Sequence, residues 1–179
     1  NGFESLFLHE AIPGHHYPFS LQHDTLDIPT FMRFVWFGAY VAVWAHYTDT
    51  LGPAFGLYTD PYQKMGYLSD QMLRAVRLVV DTGLHTGTMN REEAIKYFLS
   101  NISYDEAAAT AEIERYMALP GQALGYKIGA LRIRELRDKY QKELGAKFSL
   151  TKFHDEVLNQ GCLPLDVLDR KMENWAKRQ

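Results

Sequence analysis

The chain has 179 residues and a net charge of −3, with 46% hydrophobic and 23% charged residues. That length supports one domain with a real core, and the charge argues against a basic nucleic-acid surface or a polybasic membrane patch. A single cysteine, Cys162, excludes an internal disulfide and a cysteine-based zinc cluster, and no apolar run approaches the ~20 residues of a membrane span.

Taken in order, Phe3, Leu6 and Phe7 give residues 4–11 the apolar face of a helix, which Pro13-Gly14 ends. A second helix is expected over 15–24, broken by Pro18. Thr30 is placed to cap a long helix over 31–51. Phe31, Phe34, Val35, Trp36, Phe37, Tyr40, Val41, Val43 and Trp44 make that helix apolar on all sides, so it is expected at the centre of the core. Asp60-Pro61 opens a helix to 82, in which Leu68, Met72, Ala75, Val76 and Val79 recur at helical spacing. Residues 83–89 read as a break. Asn90 caps 91–100, with Glu92 and Glu93 in the first turn. Ser103 and Glu106 form a capping box for 105–118. Further helices are expected over 122–144, 149–159 and 165–177, and no stretch reads as a strand. The expectation is a single all-α domain over 1–179, an irregular bundle of about seven to nine helices.

Between the first two helices lies Leu8-His9-Glu10-Ala11-Ile12-Pro13-Gly14-His15-His16, which holds three of the seven histidines within eight residues. Paired histidines around a Glu are how a zinc peptidase builds half of its site: the imidazoles hold the metal and the carboxylate deprotonates water. The usual second histidine stands at i+4, where this chain has Pro13. His15 and His16 fall at i+6 and i+7. On an unbroken helix i+6 lies on the wrong face and i+7 lies two turns away, whereas Pro13-Gly14 can loop out the extra residues and return His15 to His9.

Residues 9–16 match His-Glu-Ala-x-Pro-Gly-His-His at every fixed position. The chain thereby resembles the domain of unknown function 885 family, bacterial proteins that look like gluzincin zinc metallopeptidases. Trp44-Ala45-His46-Tyr47, residues 74–85 and residues 120–129 are similar to further family stretches, as is Leu163-Pro164-Leu165 near the end. Family members are much longer, so the chain is expected to be their C-terminal, site-bearing part. Upstream sequence would then form the other wall of the cleft, and localisation stays open between the cell envelope or periplasm and the cytoplasm.

The resemblance implies zinc, a peptide substrate and a gluzincin-like catalytic half. His9 would be the first ligand and Glu10 the general base, with His15 as second ligand and His16 as its competitor or a substrate contact. The family's third ligand is a Glu that falls here on Ala42, whose methyl cannot ligate. Three readings stay open: a site rewired through His46, an engineered inactive variant, and a catalytically dead domain that keeps the fold for binding. Asp49, two turns along the same face and roughly 10 Å away, is read as too distant to replace residue 42. His85, Tyr116 and Tyr126 are the candidates for stabilising an oxyanion. Arg77 is a candidate clamp for a substrate carboxylate, although ion pairs with Asp70, Asp81 or Glu112 account equally well for Arg74 and Arg77.

Overall fold

A computed structural model describes residues 2–35 and 37–179. The described residues form ten α-helices and no strand: α1 Phe3–Glu10, α2 His16–Asp24, α3 Thr30–Phe34, α4 Gly38–Asp49, α5 Pro61–Thr86, α6 Arg91–Asn101, α7 Glu106–Ala118, α8 Gln122–Leu144, α9 Leu150–Leu158 and α10 Leu165–Ala176. Two short 3₁₀ turns, Gly52–Phe55 and Gly145–Lys147, join α4 to α5 and α8 to α9.

The caps explain most boundaries. Asp60 accepts from the Tyr62 and Gln63 amides, and Gln63 returns the bond, so α5 starts with a complete capping box. Asn90 and Glu93 do the same for α6. The cap of α7 is Asp105, which accepts from the Ala108 amide; Ser103 stands too early to reach it. Pro18 does not break α2, because it lies in the first turn, where no intrahelical donor is missed. Helix α5 runs four residues beyond the expected end at 82, through Gly83, and stops at Gly87 in the left-handed region at φ 74°.

The expected long helix over 31–51 is two helices. Phe37 is extended, and the chain around it finds its hydrogen bonds elsewhere. Gln22 Nε2 donates to the Met32 and Val35 carbonyls, while the Phe37 amide donates to Cys162 Sγ at 3.0 Å. Phe31 and Phe34 are therefore 72% and 68% exposed, against 3% for Tyr40. Only α4 is the buried helix that the sequence leads one to expect, and Trp36 lies outside the described residues.

Two apolar clusters make the core. One joins α4 to the C-terminal half of α8 and to α9 and α10, through Trp44, Tyr47, Ile133, Leu136, Phe153, Leu168 and Met172. The other joins α5, α6 and α7 through Val76, Val80, Phe98 and Ile113, with Ala123 of α8. Helix α8 belongs to both. The buried stripe of α5 is Leu73, Val76 and Val80; Leu68, Met72 and Val79, which the spacing also suggested, face outward.

Candidate metal centre

His9 lies in the last turn of α1 and is buried, while Glu10, which ends the helix, is exposed. The chain then turns back sharply. The His15 amide donates to the His9 carbonyl at 2.8 Å, and a Cβ on Gly14 would lie 2.0 Å from that carbonyl oxygen and 2.1 Å from the Leu8 oxygen. Glycine is required here by the close approach of two backbone segments. From the other side, Trp44 Nε1 of α4 donates to the Pro13 carbonyl at 2.6 Å. The loop therefore brings His15 to His9, with ring centres 4.9 Å apart and planes nearly perpendicular.

Ligand-type atoms of His9, Glu10 and His15 all lie within 4.8 Å of one another. His9 Nδ1 is held by Asp49, at 3.1 Å from Oδ2 and 3.3 Å from Oδ1, which leaves Nε2 for an ion. His15 Nδ1 is buried without a hydrogen-bond partner. Two close imidazoles, one carrying an orphaned buried nitrogen, are donors of the kind that a zinc-type ion takes, and the Glu10 carboxylate stands beside them. Asp49 supplies the carboxylate behind the first histidine that such sites use to fix tautomer and ring orientation.

Burial sets the protonation. It pushes His9 down to about 4, with the Arg74 guanidinium adding to the shift. It also holds His15 below the ordinary histidine range, with His9 adding to the shift. Asp49 moves the other way, up to about 6, because burial outweighs its hydrogen bond with His46. Neutral imidazoles are the form that binds metal.

His46 is fully buried. Its Nδ1 meets Asp49 Oδ2 at 3.2 Å and Gln71 Nε2 at 3.3 Å, and its Nε2 has no partner. It shares a second cluster with His9 and Asp49, not the cluster of His15. Gln71 in turn accepts from Lys127 Nζ at 3.2 Å.

Beside Glu10 and His15 opens a cavity of about 630 Å³, lined by Phe19, Gly38, Ala42 and residues 121, 122, 124–126 and 128. Tyr126 is the hydroxyl-bearing ring in this wall. It stacks toward His9 with centres 6.5 Å apart and a 17° tilt, and Gln122 Nε2 donates to its hydroxyl at 3.2 Å. The other sequence candidates lie elsewhere. His16 is exposed and belongs to neither donor cluster. His85 Nδ1 bonds the Asp81 carboxylate at 2.8 Å, outside the cavity wall. Tyr116 is buried between Arg77 and Glu112: Arg77 Nε donates to its hydroxyl at 2.8 Å, and the hydroxyl donates to Glu112. Arg77 pairs with Glu112 at 2.9 Å and Arg74 with Asp70 at 3.6 Å.

Asp49 and Asp81 hold places that the sequence reading does not give them: it sets Asp49 aside as too distant to replace residue 42 and takes Asp81 as an ion-pair partner for Arg74 or Arg77. Asp49 stands three residues after His46 on α4, a signal that was present. Asp81 accepts from the Gly121 and Ala123 amides at 3.1 and 3.2 Å. It thereby caps α8 from across the chain and fixes the helix that carries Tyr126.

A family model described as bacterial protein of unknown function (DUF885) matches residues 1–172. Among solved structures, a provisionally named lipoprotein from Colwellia psychrerythraea is 44% identical with a TM-score of 0.96; the match covers 99% of this chain and 31% of that one. Another provisionally named lipoprotein, of unknown function, from Shewanella oneidensis shares the fold at a TM-score of 0.85 and 24% identity, over 94% of this chain and 31% of its own. The chain thus spans about a third of either relative. No curated protein matches it.

Proposed function

We propose that this chain, which belongs to the family of bacterial proteins of unknown function designated DUF885, carries the site of a zinc-dependent peptide-bond hydrolase. The observation that carries the reading is the return of His15 to His9 across Gly14, with Glu10 beside them at the mouth of a cavity. His9 and His15 would hold the ion. When bound, zinc would polarise the scissile carbonyl and acidify water enough for a carboxylate to deprotonate it.

The chain's own residues supply the rest. Glu10 accepts the proton of the attacking water and passes it to the leaving amine. Tyr126 aims a hydroxyl donor at the developing oxyanion. Asp49 keeps the His9 proton on Nδ1, and His46 holds Asp49 in place. The apolar wall of Phe19, Leu124 and Ile128 takes a substrate side chain. The remaining wall of the cleft would come from the portion that the longer relatives carry, and their lipoprotein names support a place in the cell envelope.

The test has two parts. Metal analysis after loading should find one zinc per chain and a raised melting temperature; no zinc and an unchanged melt would overturn the reading. Glu10→Gln should keep zinc and lower peptide hydrolysis by about 10²–10⁴-fold. Ala42 favours a second reading, a binding domain that keeps the fold without the reaction, because a methyl lines the cavity where the family resemblance puts a carboxylate. Zinc and peptide binding without turnover, with hydrolysis appearing in Ala42→Glu, would decide for it.

A further inference from the structure

We infer that the cavity takes a ligand carboxylate carried on an apolar body, seated against the Ala42 methyl so that it completes the donor set of His9 and His15. This rests on the zinc reading above. The shortage of protein donors is the first ground. Catalytic zinc takes three protein ligands and an open position, and here two imidazoles are committed while Glu10 serves as base. The facing wall, Gly38 and Ala42 one turn apart on α4, offers a hydrogen and a methyl.

Shape is the second. Phe19, Leu124 and Ile128 line the same cavity, whose volume of about 630 Å³ suits a ligand the size of an acylated amino acid. Two sources share this chemistry: the C-terminal residue of a peptide with a large apolar side chain, and a free aliphatic acid.

Calorimetric titration of zinc into the intact chain tests it, with N-acetyl-L-leucine, hexanoate or N-acetyl-L-leucinamide present. Because coupling is reciprocal, an acid that completes the site should tighten zinc at least about ten-fold, while the amide changes it less than about two-fold. The larger effect from N-acetyl-L-leucine supports a peptide terminus, and the larger effect from hexanoate supports a free acid. Ala42→Glu should bind zinc at least about ten-fold more tightly without any acid and respond to acids by less than about two-fold. Equal effects of acid and amide, or a full acid response in Ala42→Glu, would overturn the inference and leave the zinc reading standing. No zinc uptake in any arm overturns both. Should Ala42→Glu misfold, the acid–amide comparison on the unaltered chain decides alone.

Discussion

Asp49 Oδ2 lies 3.1 Å from Nδ1 of His9, forty residues away in sequence, and both groups are buried. The contact fixes which nitrogen of His9 is free. Asp49→Asn keeps the shape and loses the charge that holds the proton on Nδ1. Zinc affinity should fall about 10–100-fold, read by competition with a chelating dye. Unchanged affinity would remove Asp49 from the site.

The same pair predicts how metal-free protein responds to acid. His9 moves from 6.5 to about 4 on folding, so the unfolded chain takes up its proton first as pH falls. Its stability contribution is complete above 6.5 and is lost between 6.5 and about 4. His15 and His46 are shifted in the same direction by burial. Asp49, raised from 3.8 to about 6, works in the opposite sense, since the folded state protonates it first and recovers stability between about 6 and 3.8. Three imidazoles outweigh one carboxylate, so the melting temperature should drop as pH falls below 6.5. Removing the opposing group in Asp49→Asn should steepen that drop, as melts at pH 7.5, 6 and 5 would show.

Gly14 admits no side chain without moving backbone, because both atoms nearest an added Cβ are carbonyl oxygens of α1. Gly14→Ala should displace His15 and reduce zinc affinity by more than about ten-fold, and it should cost on the order of 2–4 kcal/mol in denaturant unfolding. A variant with normal zinc affinity would show that the tight return is not what positions His15.

Asp81 and His85 separate scaffold from site. Asp81→Ala leaves the Gly121 and Ala123 amides without their acceptor, at a cost of about 1–3 kcal/mol, and it should loosen the wall that carries Tyr126. His85→Ala loses its contacts with the Asp81 carbonyl and carboxylate at the surface end of α5 and should change zinc affinity and any hydrolysis by less than about two-fold. A larger loss of hydrolysis in His85→Ala would return it to the reacting centre.

Helices bounded by their own residues were legible in the sequence. Asn90 and Glu93, Asp60 and Gln63, and Gly145 set their boundaries locally, and Pro13-Gly14 marked where the chain could turn back. What escaped depends on partners distant in the chain. The break at 35–37 relies on Gln22 and Cys162 to satisfy its backbone. Asp49 was set aside by its distance along α4 from residue 42, yet α1 crosses at the right height to meet it. Tyr116 reads as an oxyanion donor until Arg77 and Glu112 close around its hydroxyl.

Helix α8 is shared by both apolar clusters, and the cavity lies along its first turns against α4. Anything that fills the cavity therefore touches α4, which belongs to one core, and the first turns of α8, which carry Ala123 of the other. Its binding energy adds to the stability of both halves together, by mass action. Occupancy of the site should thus be readable far from it: amide exchange in the Phe98–Ile113 core and in the Phe153–Met172 core should slow in step as ligand is added, turning two breathing units into one.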